Sequence, residues 1–372
     1  MWYRRLYVEL QTYSLFNVKG EHYMSKFKKI FYRVVLVCSI LIIFAIIVFV
    51  VIHAMGKRKI QEDITTDVII STEQVVSTES PEVVEKADYE VITYQGQEYQ
   101  YRDNLINILC MGIDKDEEMS LRDDNGNSVG QSDAIFLVSL DLENNDIRII
   151  AIPRDTMVTI QKFDGNGSYL GSGPGQLTLQ YAYADGQEKS AKLVASQVSS
   201  ILGGIPINAY VAINLRCLWV LNDAIGGVDI TMDDDYTVLN PEFKEGATVH
   251  LSGNSVENYV RGRDTSVAGS AYTRIHRQKI YIQAFFEKAK TVFKEDMTLP
   301  VTLMQTLEKD METDITVDEA VYLLSEALDC SFLEENMCTL SGEIRKGEKY
   351  EEYYLDEDAV EALVVDLFYE EK

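Results

Sequence analysis

In a chain of 372 residues with a formal net charge of −26, one stretch of the C-terminal half is dense in arginine. Arg261, Arg263, Arg274 and Arg277 fall within 17 residues, joined by His276 and Gln278. A guanidinium carries a rigid fork of donors that matches phosphate oxygens two at a time, so the cluster has the chemistry of an anion site. The competing reading is a solvated helix face whose arginines pair with nearby carboxylates, because charge runs are commonly just solvated. A second set of charges, Asp114, Asp133, Arg154 and Asp155, lies at the ends of apolar runs. Any one of these alone reads more simply as a loop residue.

Elements that would position both sets can be read from the pattern. The continuous apolar run Leu105–Gly112 predicts a buried strand. Ala134–Leu140 and Ile147–Ile152 predict two more, joined by turn chemistry over Asp141–Asp146. That hairpin puts Asp133 and Arg154 at one open end. If Leu105–Gly112 runs antiparallel to the next strand, Asp114 arrives there too, and Asp155 with it. Ligands in α/β sheets commonly sit at such strand ends. Asp164–Gln176 is rich in glycine but lacks the GK[ST] ending of a nucleotide-binding loop, and reads as a flexible loop or lid. Lys189–Leu202 and Leu215–Ala224 predict helices, with strands at Ala209–Ile213 and Val228–Met232. Leu251–Arg261 predicts a helix leading into the cluster, and Thr273–Val292 a long one. On the latter, Arg274, Arg277, Gln278 and Tyr281 share a face at i, i+3, i+4 and i+7. That face is placed to grip a phosphate that Arg261 and Arg263 approach from the preceding loop. Alternating strands and helices give an α/β fold with a layered domain. Helices near Val317–Leu328 and Asp356–Phe368 follow, in a C-terminal part with no identifiable chemistry.

Composition narrows the function. A pI near 4.5 argues against nucleic-acid binding, which wants a basic face. Five cysteines and four histidines show no metal-ligand spacing, and free thiols are expected at Cys330 and Cys338. Residues 34–52 are 19 residues with Ser39 as the only polar side chain, close to the thickness of a bilayer core. Seven basic residues precede the run and three follow it, which places the N-terminus in the cytoplasm and the bulk outside. Met24 opens a basic flank and is a candidate start, the alternative being a longer cytoplasmic tail. The expected organisation is a cytoplasmic tail (1–33), a transmembrane signal-anchor helix (34–54), an extracellular stalk (55–90), a catalytic domain (91–295) and a C-terminal annex of that domain (296–372).

Taken in order, NILCMGID, QSDAIFLVSL, IIAIPRDTMV, LQYAYADG, the INAYVAINL to AIGGVDI run and VRGRD…RIHRQ resemble the LytR–CpsA–Psr family of membrane-anchored envelope proteins. The resemblance covers roughly residues 104–282. It implies a mixed central sheet flanked by helices. It also implies transfer of a glycopolymer from an undecaprenyl-pyrophosphate carrier to peptidoglycan outside the membrane. By the same resemblance Asp114 and Asp133 would coordinate Mg²⁺. Arg154, Arg261, Arg263, Arg274 and Gln278 would hold the pyrophosphate, with Arg277 contributing from the same face. Asp155 would orient the arginines or assist the acceptor hydroxyl. Arg154 and Arg263 join it as the catalytic set, through fixed positive charge rather than a covalent nucleophile. The chain departs from the family pattern at Gln131, Thr178 and Ala271, where many members carry Arg, Lys and Asp. Two other functions stand beside transfer: a non-catalytic envelope protein that binds or senses lipid-linked polymer, and a polyprenyl-pyrophosphate hydrolase.

Overall fold

The structure, a computed structural model, describes residues 52–60, 89–122, 128–264, 270–347 and 350–372. The expected cytoplasmic tail and nearly all of the expected transmembrane helix and stalk lie outside the described residues. Among the described residues no helix is long and apolar enough to cross a membrane. Residues 1–55 and 56–372 are separate compact units, and the fold below is that of the second.

A six-stranded mixed sheet forms its centre. The first three strands in sequence are β3 (Leu105–Ile113), β4 (Ser132–Asp141) and β5 (Asp146–Ala151), after a small hairpin of β1 (Val91–Tyr94) and β2 (Gln97–Tyr101). The antiparallel register of β3 on β4 and of β4 on β5 carries the end of β3, the start of β4 and the end of β5 to one rim. Next come the paired strands β6 (Met157–Phe163) and β7 (Tyr169–Gln176), then helices α1 (Thr178–Ala182) and α2 (Glu188–Ile201). β8 (Ala209–Ile213) lies parallel to β3. After it come α3 (Leu215–Ala224), β9 (Val228–Thr231), β10 (Thr248–Leu251), α4 (Asn254–Arg261) and α5 (Ser270–Glu295). The remaining chain is α6 (Leu299–Thr306), β11 (Met311–Thr313), α7 (Val317–Asp329), β12 (Met337–Thr339), β13 (Gly342–Lys346), β14 (Glu351–Leu355), α8 (Glu357–Phe368) and β15 (Tyr369–Glu371). β11 and β12 complete the central sheet in the order β11-β8-β3-β4-β5-β12, so the C-terminal part supplies both its edges.

Apolar residues alternate to the two faces of this sheet, as the two-residue strand period requires. Leu109, Met111, Leu137 and Ile150 pack with Tyr181, Val194, Val198, Val364 and Phe368 from α1, α2 and α8. Ile108, Ile147 and Ile149 pack on the other side with Tyr322, Leu323 and Phe286 from α7 and α5. The result is a helix–sheet–helix sandwich. Residues 56–60 join the second face: Ile60 is buried beside Tyr322, and a Cβ on Gly56 would meet the Asp318 carbonyl oxygen at 2.2 Å. Lys59 pairs with Asp318 at 2.8 Å. Part of the expected stalk therefore packs on α7.

Asp164–Gln176, expected to be a flexible loop, is mostly strand β7. Its glycines alternate, which bares one face and allows close approach; a Cβ on Gly175 would lie 2.6 Å from the Ile160 side chain. Cys110, Cys217, Cys330 and Cys338 are free thiols.

Beside β11, the Asp314 carboxylate accepts the Tyr210 N–H at 2.8 Å, and burial pushes its pKa up to about 6. A raised carboxyl pKa costs the folded state nothing below the unfolded value and progressively more as pH rises through the folded one. Asp314→Asn, which keeps the acceptor oxygen, is therefore expected to stabilise at pH 7 by about 1 kcal/mol, after allowance for solvent screening, and to do little at pH 3. Urea unfolding at both pH values checks this, and equal destabilisation at both would contradict it.

Candidate active site

The rim of the central sheet is built from three loops sewn together by backbone. After β3, the Asp114 N–H donates to the Gln131 carbonyl at 3.0 Å, and the Asp133 N–H donates to the same oxygen at 3.0 Å. The Gln131 N–H in turn donates to Asp114 Oδ1 at 2.5 Å. Gly130 makes the turn possible, with φ +83° and a Cβ position only 2.6 Å from Ile113. After β5, Pro153–Thr156 folds into a turn closed by Thr156, whose N–H and hydroxyl both donate to the Pro153 carbonyl. The carbonyls of Arg154, Asp155 and Thr156 accept from the N–H groups of Thr178, Tyr353 and Leu177 at 2.8–3.0 Å. Thr178 is thus buried at the start of α1 with its backbone on Arg154. All this backbone pairing fixes where the charged side chains point.

Asp114, Asp133, Arg154 and Asp155 come together as the strand geometry predicts. Arg154 pairs with Asp133 at 2.5 Å and with Asp155 at 3.6 Å. Partial burial raises the Asp114 carboxyl above the usual range, the nearby Asp133 charge adds to this, and the Gln131 N–H with Arg154 and Arg261 oppose it. Burial likewise raises Asp155, against the pull of Arg154 and Arg274. Two carboxylates that repel each other beside an arginine rim make a hard-oxygen donor set, and such a set fits a Mg²⁺ ion whose remaining ligands are water and phosphate. Among the described residues no group of three or more His, Cys, Asp or Glu clusters to hold a metal.

From the other side, α4 and α5 bring the arginine cluster. Arg274 is the centre of it. Burial lowers its pKa, and the charges of Arg154 and Arg263 lower it further, against Asp133 and Asp155. Its Nε is buried with no hydrogen-bond partner. A buried cationic donor without a partner, facing two like charges, is expensive unless an anion joins it. Arg261 pairs with Glu257 one turn back on α4, and its charge acts on Asp114.

Arg277 is not part of this rim. It is only 2% exposed, it donates to the carbonyls of Tyr259 and Gly262, and its guanidinium lies 5.0 Å from the Tyr236 ring centroid. Successive residues on an α-helix turn by about 100°, so Arg274 and Arg277 diverge by about 60°, enough to separate rim from core. Gln278 donates to the Val260 carbonyl at 3.2 Å. Both side chains therefore satisfy carbonyls at the end of α4 and fix the segment that carries Arg261 and Arg263. Arg277→Met leaves a buried and a part-buried carbonyl without their side-chain donors and is expected to cost about 2 kcal/mol of stability. Urea unfolding reads this; unchanged stability with lost pyrophosphate binding would place Arg277 on the ligand instead.

A residue that the sequence did not single out stands beside Asp155. Gln176, the last residue of β7, donates from Nε2 to Asp155 Oδ1 at 2.9 Å. Its only advance signal was its place as the polar end of an apparent loop. Ala271 belongs to the start of α5, where side chains lie outside the described residues.

A mixed-sheet α/β sandwich with arginines gathered at one rim, opposite a carboxylate pair, defines the class. The LytR_cpsA_psr family model matches residues 66–367, and the chain belongs to that family. A Bacillus cereus polyisoprenyl-teichoic acid–peptidoglycan teichoic acid transferase, TagU, is 28% identical over 214 residues, covering 58% of this chain and 62% of the relative. The chain thus spans less than two thirds of that relative's length. Among solved structures, gbs0355 from Streptococcus agalactiae superposes with a TM-score of 0.56 at 21% identity, over 71% of this chain and 86% of that one. TagT bound to LIIa-WTA superposes with a TM-score of 0.52 at 19% identity, over 71% and 89%. Both share the fold.

Proposed function

We propose that the protein is an extracytoplasmic, Mg²⁺-dependent phosphotransferase. It moves a glycopolymer from an undecaprenyl-pyrophosphate carrier to peptidoglycan, and is held at the cell membrane by one N-terminal helix. The observation that carries this reading is Arg274, a half-buried arginine whose Nε is buried and unpartnered and which feels the charges of Arg154 and Arg263. Such a group calls for an anion of high charge density, and a pyrophosphate answers it. The names of the teichoic acid transferases among the relatives support the choice of reaction.

In this reading Arg154, Arg263 and Arg274, with Arg261 at the rim, bind the pyrophosphate and hold fixed positive charge where negative charge grows. Asp114 and Asp133 would hold Mg²⁺, which supplies further neutralisation at phosphate oxygens. Asp155 aligns Arg154 and takes the proton of the attacking peptidoglycan hydroxyl. That oxygen bonds to the sugar-proximal phosphorus, the bond to the bridging oxygen breaks, and undecaprenyl phosphate leaves. Arg277 and Gln278 act from behind, through the carbonyls that end α4.

The test uses the purified full-length chain, an undecaprenyl-pyrophosphate disaccharide, peptidoglycan fragments and Mg²⁺. Phosphodiester-linked disaccharide on peptidoglycan and released undecaprenyl phosphate are expected. Release without linkage would make the protein a hydrolase. Binding without turnover would make it a non-catalytic envelope protein.

A further inference from the structure

The C-terminal hairpin, β13–β14, reaches the rim although nothing in its sequence suggests chemistry. The Tyr353 N–H donates to the Asp155 carbonyl at 2.9 Å, and Thr156 and Tyr353 form an isolated parallel bridge. Tyr353 is anchored below by its hydroxyl, which donates to the Leu340 carbonyl at 2.8 Å. Gln176 links this hairpin to the site a second time. Its Nε2 donates to Asp155 Oδ1 at 2.9 Å and to the Glu351 carbonyl at 2.8 Å. A carboxamide nitrogen has two N–H groups, and both are used here. Asp155 in turn pairs with Arg154, and Arg154 with Asp133.

We propose that Gln176 is a positioning residue, and that together with β14 it braces Asp155 and through it the Arg154–Asp133 pair. This rests on the phosphotransferase reading for its effect on rate, though not for the brace itself. The physical need is clear from the surroundings. Asp155 sits on a turn, is half-buried, and is attracted by both Arg154 and Arg274. A carboxylate between two cations on a turn has more than one low-energy orientation. A neutral double donor fixed to a β-strand backbone selects one without adding charge. It also ties three segments far apart in sequence, at 155, 176 and 351, into one wall of the site.

The brace predicts a specific pattern in the full-length protein. Gln176→Met matches the side chain in length and removes both donors. Turnover of the undecaprenyl-pyrophosphate disaccharide should fall about 10- to 100-fold, the loss typical of a misplaced catalytic group. Affinity for farnesyl pyrophosphate, used as the binding probe, should change less than about threefold, since the arginines remain. Hydrogen exchange at the Tyr353 amide should quicken. Gln176→Lys, which restores donors but adds a charge beside Asp155, should recover the slow exchange at Tyr353 and part of the turnover. Equal losses in the two variants, or unchanged exchange at Tyr353 in Gln176→Met, would overturn the brace. A wild-type protein without turnover would reject the phosphotransferase reading alone, and the exchange at Tyr353 would still decide the brace.

Discussion

Replacing Arg274 by Ala is expected to lower glycopolymer transfer by roughly 10²–10³-fold, the value of one fixed charge contact realised in the transition state. It should do so without weakening the fold. Burial and the neighbouring charges of Arg154 and Arg263 depress the Arg274 pKa, so its cationic form is disfavoured in the folded protein. While it is charged that arginine therefore costs stability, and removing it should leave the melting temperature unchanged or higher. The pairing of large catalytic loss with no loss of stability separates Arg274 from Arg277, three residues on, where the opposite is expected. A melting temperature that falls in Arg274→Ala along with activity would show that the side chain serves the core.

A second large effect is expected at Asp133. It touches Arg154 at 2.5 Å and raises the carboxyl of Asp114 by its charge, so it stands between the carboxylate pair and the arginine rim. Asp133→Ala should lower Mg²⁺-dependent transfer on the order of 10³-fold, since several kcal/mol of charge neutralisation goes with the lost ligand. Isothermal titration with Mg²⁺ in the presence of farnesyl pyrophosphate should show weakened metal binding. Transfer that survives both this substitution and a chelator would refute the metal assignment. With Asp133 gone, the Asp114 carboxyl should move down toward the ordinary range, because a like charge has left.

Much of this site was legible in the chain. The apolar runs of β3, β4 and β5 and the turn between the last two are local signals, and a hairpin's geometry follows from them. That is why Asp114, Asp133, Arg154 and Asp155 could be brought to one rim before any fold was known. Helical periodicity put Arg274, Arg277 and Gln278 on one face of α5, whereas the fold turns Arg277 and Gln278 to the carbonyls that end α4. β7 was misread because glycine in a strand looks like glycine in a loop until a partner strand fills the space it leaves, as Ile160 does at Gly175.

The sequence by itself determined the strands, the helices and the charges they carry, because each depends on residues within a few positions of one another. Tertiary structure alone decided that Arg274 faces the rim while Arg277 is only 2% exposed and holds the end of α4. A difference of about 60° around one helix gains meaning only once neighbours exist on both sides. It alone also decided that Gln176, while holding Asp155, reaches the Glu351 carbonyl 175 residues further along the chain. No local pattern records such a contact, because its strength comes from the packing that brings the three segments together.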